Sequence, residues 1–166
     1  MRKVLDNSKS EFISLEQEIA TLKLYLELEK MRFDDSFNFQ IEIDKLINPT
    51  VFVVPPMMIQ PVLENAIWHG LAPLKENGLL KLSFGLSDKN ILICRVEDNG
   101  IGRAKAAEIA ERRIGHQSTG VKNLQERINL INSVSLIKID YKVFDLFDPN
   151  DNPNGTKVEL HIKYSI

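Results

Sequence analysis

The sequence predicts an α/β (α+β) two-layer sandwich, in which one mixed β-sheet carries helices on one face and an N-terminal helix precedes the sheet. Segments with the two-residue period of strands and segments with helical periodicity are mixed along the chain, without a strict βαβ alternation. Two apolar strand-like segments follow one another across a short turn, as in a hairpin. Stretches rich in proline, glycine and polar residues separate the segments.

Size and composition limit the function classes. With 166 residues, of which 43% are hydrophobic and 27% charged, the chain fits one folded domain plus a short appendage. The formal net charge is −2 with both signs interspersed, so direct binding to nucleic acid is not expected. The single cysteine, Cys94, lies in an apolar run and is interpreted as a core residue. No apolar run approaches the roughly 20 residues of a membrane-spanning helix, so a soluble, cytoplasmic fragment is expected.

The first predicted helix begins at a capping box, Ser14-Leu15-Glu16-Gln17. Its apolar stripe extends to about Phe33, which fits either a core-facing amphipathic helix or, less well, the seam of a dimer. Alternation predicts a half-buried strand over residues 36–43 and a short second strand over residues 50–54. Pro61 suits the first turn of a second helix that continues to His69.

The remaining elements follow from turn residues. Gly70 is interpreted as the C-terminal stop of the second helix. Residues 78–86 and 90–97 are predicted to form a hairpin with its turn at residues 87–89. The later elements are a loop at residues 98–102, helices over residues 103–113 and 120–131 with a loop between them, and strands over residues 134–144 and 156–164.

Asp98 is the first candidate for chemistry, because it ends an apolar strand and precedes two glycines, Gly100 and Gly102. Glycines let a ligand approach the backbone closely. An ionised carboxylate only accepts hydrogen bonds, so it can take one from the exocyclic amino group of adenine, whereas guanine presents an oxygen at that place. The alternative is an ordinary Asp-Asn-Gly turn that links two elements.

Two further segments carry candidate ligands. Asn65 offers an amide oxygen that suits Mg²⁺, and His69 lies one turn later, where an imidazole could touch a phosphate. Residues 118–123 begin a helix, where free N–H groups attract phosphate oxygens. Taken alone, the first segment fits an ordinary helix end better than a ligand site, and the second fits an ordinary helix cap.

In this order, the segments resemble the nucleotide site of gyrase-type ATPases, heat-shock-ninety chaperones, MutL proteins and histidine kinases, known as the GHKL or Bergerat fold. The resemblance is strongest to LytS-type sensor histidine kinases, and it covers nearly the whole chain. It rests on Gln60-Pro61-Val62-Leu63-Glu64-Asn65-Ala66-Ile67-Trp68-His69-Gly70, Val96-Glu97-Asp98-Asn99-Gly100-Ile101-Gly102, Gly120-Val121-Lys122-Asn123-Leu124-Gln125-Glu126-Arg127, Gly155-Thr156 and, upstream, Tyr25-Leu26-Glu27-Leu28-Glu29-Lys30-Met31-Arg32-Phe33.

The resemblance implies a site for ATP and Mg²⁺. Asn65 would hold the metal, Asp98 would receive the adenine amino group, and Thr156 would support Asp98 through water. Gly100 and Gly102 would form the wall near the base, and residues 103–119 would be a mobile lid. The phosphates would be met by the start of the following helix, namely Ser118, Thr119, Gly120 and Val121.

The resemblance also implies a kinase that transfers the γ-phosphate of ATP to a histidine of its own dimerisation segment, with Glu64 as a candidate base. The Pro-His-Phe context of that histidine is absent from this chain. Residues 1–35 are therefore predicted to be the end of the histidine-bearing segment and residues 36–166 the ATP-binding domain. The implied partners are the acceptor segment, a response regulator and a second copy, with the parent protein possibly anchored in the bacterial inner membrane.

Two departures within the nucleotide site, together with the missing Pro-His-Phe motif, keep alternatives open. Trp68 stands where a basic residue is frequent, and Ser118 stands where a further glycine is frequent. Pro61 occupies the place where many gyrase-type ATPases have their Glu, which argues against an ATPase that uses water. The alternatives are such a GHKL-type ATPase and a non-catalytic dimerisation or binding module.

Overall fold

A computed structural model describes residues 12–87, 91–112 and 119–164. Its elements are β1 (Ile13–Ser14), α1 (Leu15–Arg32), β2 (Phe37–Ile43), β3 (Val53–Val54), α2 (Gln60–Asn65), β4 (Gly78–Leu86), β5 (Ile91–Asp98), α3 (Arg103–Arg112), α4 (Thr119–Val134), β6 (Ile137–Phe147) and β7 (Pro153–Tyr164). A π-helix (Ala66–Leu71) and a 3₁₀ turn (Ala72–Leu74) continue directly from α2.

The main sheet has five strands in the order β2-β4-β5-β7-β6. Strands β2 and β4 pair in parallel, and the other neighbours pair antiparallel, so the sheet is mixed. Alternate residues of the strands point into one core that also contains Leu22 of α1, Leu63 of α2 and Ile128 of α4. The opposite face carries charged pairs, such as Arg95 with Glu159. The predicted two-layer sandwich is confirmed.

The capping box predicted at Ser14 is present. The Ser14 hydroxyl accepts a hydrogen bond from the N–H of Gln17, and the Gln17 side chain accepts one from the N–H of Ser14, each at 3.2 Å. We expect Ser14→Ala to lower the free energy of unfolding by about 1 kcal/mol, because one of the first N–H groups of α1 loses its acceptor. Urea unfolding measures this change, and an unchanged midpoint would show that the box contributes nothing to stability.

Several boundaries differ from the sequence prediction. The second strand shortens to Val53–Val54 and pairs with β1 in a separate two-stranded sheet. Strand β6 begins and ends three residues later than predicted, at Ile137–Phe147, and β7 begins three residues earlier, at Pro153. The hairpin of β4 and β5 is confirmed, although residues 88–90 of its turn lie outside the described part.

Gly70 is not the stop that its spacing suggested. The chain continues through Gly70 in the π-helix and ends its helical course at Lys75, which has a left-handed conformation with φ of 67°. Among the described helices, none combines the length and the apolar character that crossing a bilayer requires.

Candidate functional site

Asp98 ends strand β5 on the core side of the sheet. Its side chain is almost fully buried, with 5% of the residue exposed, and its Oδ1 accepts from the N–H of Gly100 at 2.8 Å. Burial raises the pKa of Asp98 to about 6, against the opposing effect of hydrogen bonds from the backbone of Gly100 and Thr156. This carboxylate is therefore costly to keep ionised in the free protein, and it gains from any ligand that donates a hydrogen bond to it.

Two glycines bring Asp98 against the helical segment that carries Asn65. A Cβ at Gly70 would lie 2.8 Å from Oδ1 of Asp98, and a Cβ at Gly100 would lie 2.5 Å from the carbonyl oxygen of Gly70. The N–H of Ile101 donates to that carbonyl at 3.1 Å. Asn65 lies five residues before Gly70, roughly 7 Å along the helix axis. Asp98 thus lies against the helical segment that begins with Asn65, on the core side of the sheet.

Asn65 is the last residue of α2, directly before the π-helix. A π-helical turn inside an α-helix is rare and frequently marks a functional site, because the wider turn changes the direction of the side chains around it. Asn65 is half-buried, and His69 is exposed. In the described part of the chain, no group of three or more His, Cys, Asp or Glu side chains is placed to hold a metal by itself.

Glu64 and Trp68 point toward α1. Glu64 accepts a hydrogen bond from the side-chain amide of Gln60 at 3.0 Å. Burial raises the pKa of the Tyr25 hydroxyl, and the negative charges of Glu29 and Glu64 raise it further. The Trp68 ring packs edge-on against Phe33 at 5.0 Å. The guanidinium of Arg32 lies 4.8 Å from the Trp68 ring centre. Trp68 therefore stacks, but its partners are protein side chains at the end of α1.

The backbone around Asp98 is held by Asn99, for which the sequence predicted no role, and by residues of strand β7. The side chain of Asn99 accepts from the N–H of Leu79 at 2.6 Å and donates to the carbonyl of Asn77 at 3.1 Å. Gly155 has φ of 100°, and a Cβ there would overlap the carbonyl oxygen of Asp98. Thr156 is the ladder partner of Asp98 on β7. An Asn beside an Asp-x-Gly turn was the signal that could have indicated such a brace.

Gly102 ends the loop after β5 with φ of 78°, a conformation that favours glycine. Helix α3 follows, and its first residue, Arg103, donates to both carboxylate oxygens of Asp145 at 2.6 and 2.7 Å. Ser118 lies outside the described residues. Thr119, Gly120 and Val121 form the first turn of α4, and their side chains are also outside the described part. The predicted phosphate contacts and lid therefore remain predictions.

A cavity of about 300 Å³ lies at the same end of the sheet but against its other face. Its lining includes Asp98 as well as Lys81, Glu97 and Asn99, and Lys81 and Glu97 alternate with the core residues of their strands. Asn65 is not among the residues that line this cavity.

Comparison with known proteins identifies relatives. A family model described as histidine kinase matches residues 1–37. The chain is 29% identical over 164 residues to the sensor protein LytS of Oceanobacillus iheyensis, and the alignment covers 98% of this chain and 25% of that protein. Sensor histidine kinase/phosphatase LytS of Staphylococcus aureus strain MRSA252 is 32% identical over 129 residues, with 76% of this chain and 21% of that protein covered.

The chain is a relative of the LytS-type sensor histidine kinases. It is also 34% identical over 116 residues to the uncharacterised protein YwpD of Bacillus subtilis, an alignment that covers 69% of this chain and 41% of that protein. The chain thus spans less than half the length of these relatives.

Solved structures show that the fold is that of histidine kinase catalytic domains. The catalytic domain of the histidine kinase ThkA superposes with a TM-score of 0.59 at 14% identity, covering 92% of this chain and 94% of that chain. The mycobacterial sensor histidine kinase MprB superposes with a TM-score of 0.58 at 16% identity, covering 94% and 99%. ThkA in complex with the response regulator TrrA gives a TM-score of 0.60 at 13% identity, covering 99% and 46%.

Proposed function

We propose that this chain is the ATP-binding catalytic domain of a two-component sensor histidine kinase, which binds ATP with Mg²⁺ and presents the γ-phosphate to a histidine upstream of residue 1. The observation that carries this proposal is the contact between the carboxylate of Asp98 and Gly70, five residues after Asn65. It joins a purine-recognising acid to a metal-binding amide within one site, which is what ATP with its metal requires.

Recognition of the base is assigned to Asp98. The ionised carboxylate accepts from the exocyclic amino group of adenine, and it would repel the oxygen of guanine. One carboxylate oxygen already accepts from the N–H of Gly100, so the side chain is oriented before the nucleotide binds. Gly100 and Gly102 form the wall beside the base, and Thr156 supports Asp98 from the neighbouring strand.

The metal and the phosphates are assigned to the helix that runs from Gln60. Mg²⁺ keeps several waters and binds phosphate oxygens, so one protein ligand, the Asn65 amide oxygen, is sufficient. Bound Mg²⁺ would neutralise charge on the phosphates during transfer. The exposed His69 imidazole and the start of α4, with Ser118, Thr119, Gly120 and Val121, would contact the phosphates. Residues 103–119 are proposed as the lid.

The phosphoacceptor is proposed to lie upstream. Of the three histidines, His69 belongs to the nucleotide site and His116 lies outside the described residues. His161 is paired with Glu159 at 2.8 Å on the other face of the sheet. We divide the chain into residues 1–35, the end of the histidine-bearing dimerisation segment, and residues 36–166, the ATP-binding domain. The match of residues 1–37 to a histidine kinase family model supports this division.

The proposed partners follow from that role. The acceptor segment of the same or a sister chain receives the phosphate, a response regulator receives it next, and the parent protein is a homodimer. A solved relative of the fold, ThkA, is in complex with the response regulator TrrA, which supports this type of partner. The site would lie in the bacterial cytoplasm, where ATP is available. Glu64 faces α1, which continues the histidine-bearing segment, and this position supports its candidacy as a base toward that histidine.

Titration calorimetry with Mg²⁺ present tests the proposal. ATP should bind and GTP should bind much more weakly, because only adenine offers a donor to Asp98. Absence of Mg²⁺-dependent ATP binding at millimolar nucleotide would favour a non-catalytic module. Trp68 gives that module no specific support, since its partners are Phe33 and Arg32. Steady ATP hydrolysis by this chain would favour the water-using ATPase.

The affinity for ATP should depend on pH around 6. Burial raises the pKa of Asp98 to about 6, so below that pH the free protein carries a proton that adenine must displace. The affinity should be constant above about pH 7 and should be about tenfold lower at about pH 5, since each pH unit below the pKa costs up to a factor of ten. The same profile measured on Asp98→Asn corrects for titration of groups other than Asp98, the nucleotide phosphates included. Identical profiles for the two proteins would contradict the prediction.

A further inference from the structure

One peptide group, between Pro56 and Met57, is held by charged side chains from two different helices. Its N–H donates to Oε2 of Glu18, on α1, at 3.2 Å. Its carbonyl accepts from Nη2 of Arg127, on α4, at 2.5 Å. Nη1 of Arg127 also approaches the next carbonyl, that of Met57, at 3.4 Å. We call this arrangement the peptide clamp, formed by Glu18, the Pro56–Met57 peptide group and Arg127.

The acidic half of the peptide clamp is buried at a cost. Only 1% of Glu18 is exposed, and its Oε1 has no hydrogen-bond partner within the described part of the chain. Burial raises the pKa of Glu18, although the backbone of residues 57–59 and the charge of Arg127 act in the opposite direction. Burying this carboxylate therefore costs free energy, which the Met57 N–H and the charge of Arg127 offset only in part.

The clamped peptide leads into the helix that carries Asn65. Met57 has φ of 57°, a left-handed conformation that a residue other than glycine adopts only when its surroundings impose it. Helix α2 begins three residues later, at Gln60, and ends at Asn65. Because α2 is short and rigid, a change in the direction of the Pro56–Met57 peptide moves Asn65 with it.

We propose that Glu18 and Arg127 are positioning residues that fix Asn65 for metal-bound ATP and thereby couple α1 to the nucleotide site. The proposal rests on the assignment of Asn65 to Mg²⁺ made above. Neither side chain touches the nucleotide; both act through one peptide group. Helix α1 continues the proposed histidine-bearing segment, and α4 begins at the proposed phosphate-binding turn. A shift of α1 displaces Asn65 through Glu18, and binding at the proposed phosphate site displaces it through Arg127.

Four variants separate positioning from mere packing. Glu18→Leu removes the acceptor and keeps an apolar side chain of similar size, whereas Glu18→Gln keeps a carbonyl acceptor for the Met57 N–H. Arg127→Gln removes the cationic donor. Glu16→Leu, on the exposed side of α1, is the matched control. Each is measured for ATP affinity with and without Mg²⁺, for unfolding by urea, and for amide hydrogen exchange over residues 57–65.

Glu18→Leu and Arg127→Gln should each weaken binding of Mg²⁺-ATP about five- to thirtyfold, with less than about a twofold change for ATP without metal. The Glu18→Leu/Arg127→Gln double variant should bind no more weakly than the weaker single variant, because both changes release the same peptide. Glu18→Gln should retain most of the affinity for Mg²⁺-ATP, because its carbonyl still accepts from the Met57 N–H. Glu18→Leu leaves the Met57 N–H without its acceptor, so amide exchange over residues 57–65 should accelerate in this variant. Glu16→Leu should change neither the two ATP affinities nor the exchange over residues 57–65, although the start of α1 loses one favourable acidic side chain.

Three results would overturn the proposal. The first is unchanged Mg²⁺-ATP affinity in both single variants, and the second is a loss that adds fully in the double variant. The third is an equal loss with and without Mg²⁺ that follows the loss of stability. If the unaltered chain fails to bind Mg²⁺-ATP, the proposed function falls and the coupling falls with it. Hydrogen exchange over residues 57–65 then still decides whether the peptide clamp exists.

Discussion

Asp98→Asn should weaken the binding of ATP roughly 10- to 150-fold, which corresponds to the loss of a charge-assisted hydrogen bond worth about 1.5–3 kcal/mol. The Asn oxygen can still accept from the N–H of Gly100, as the carboxylate does at 2.8 Å. Its amide nitrogen would then face the adenine amino group, and two donors would meet. The variant should therefore keep the conformation of the loop after β5 and bind ATP more weakly.

The same variant should be at least as stable as the unaltered protein at pH 7. The pKa of Asp98 is about 6 in the folded protein, against a usual value of 3.8. A carboxyl whose pKa is raised by folding favours the native state at low pH, and this contribution is lost as the pH rises through the folded pKa. At pH 7 the folded domain holds an unfavourable buried charge, which Asn removes.

Titration calorimetry measures the affinity for ATP, and urea unfolding measures the stability, both at pH 7. The matched control is Glu97→Gln, because Glu97 is the neighbouring acid on β5 and lies exposed on the opposite face of the sheet. The control should leave both quantities unchanged. An affinity for ATP that survives in Asp98→Asn, or that falls equally in Glu97→Gln, would remove Asp98 from the site.

Much of the fold could be predicted because it depends on local patterns. The capping box at Ser14, the hairpin of β4 and β5 and the mixed sheet each follow from periodicity and turn chemistry within a short stretch of chain. The alternation of β5 also determines which face Asp98 occupies, since Leu92, Cys94 and Val96 point the same way into the core.

The rest depends on contacts between segments that are distant in sequence. Gly70 has the spacing of a helix stop, but its lack of a side chain serves the close approach of Asp98. The apolar stripe of α1 predicted its buried leucines, yet it gave no sign that Glu18 is buried among them. Trp68 suggested an altered phosphate site, whereas its contacts are with the end of α1. Each outcome required knowing which elements become neighbours.

Gly100→Ala should lower the free energy of unfolding by about 2–4 kcal/mol and abolish ATP binding in whatever fraction remains folded. A Cβ at this position would lie 2.5 Å from the carbonyl oxygen of Gly70 and 2.6 Å from Oδ1 of Asp98. The first neighbour is backbone near the end of the π-helix, and the second is held by its own hydrogen bond, so neither can move away cheaply. Relief requires the loop after β5 to separate from the helix that carries Asn65.

Gly85→Ala is the matched control, because a Cβ there would meet only the mobile end of the Arg95 side chain, at 3.4 Å. In the interior of β4 it should leave ATP binding unchanged and slightly raise stability, since alanine loses less conformational freedom than glycine on folding. Urea unfolding and ATP titration of both variants measure the difference. If Gly100→Ala behaves like Gly85→Ala, the loop and the helix are not in contact, and the shared site of Asn65 and Asp98 loses its physical basis.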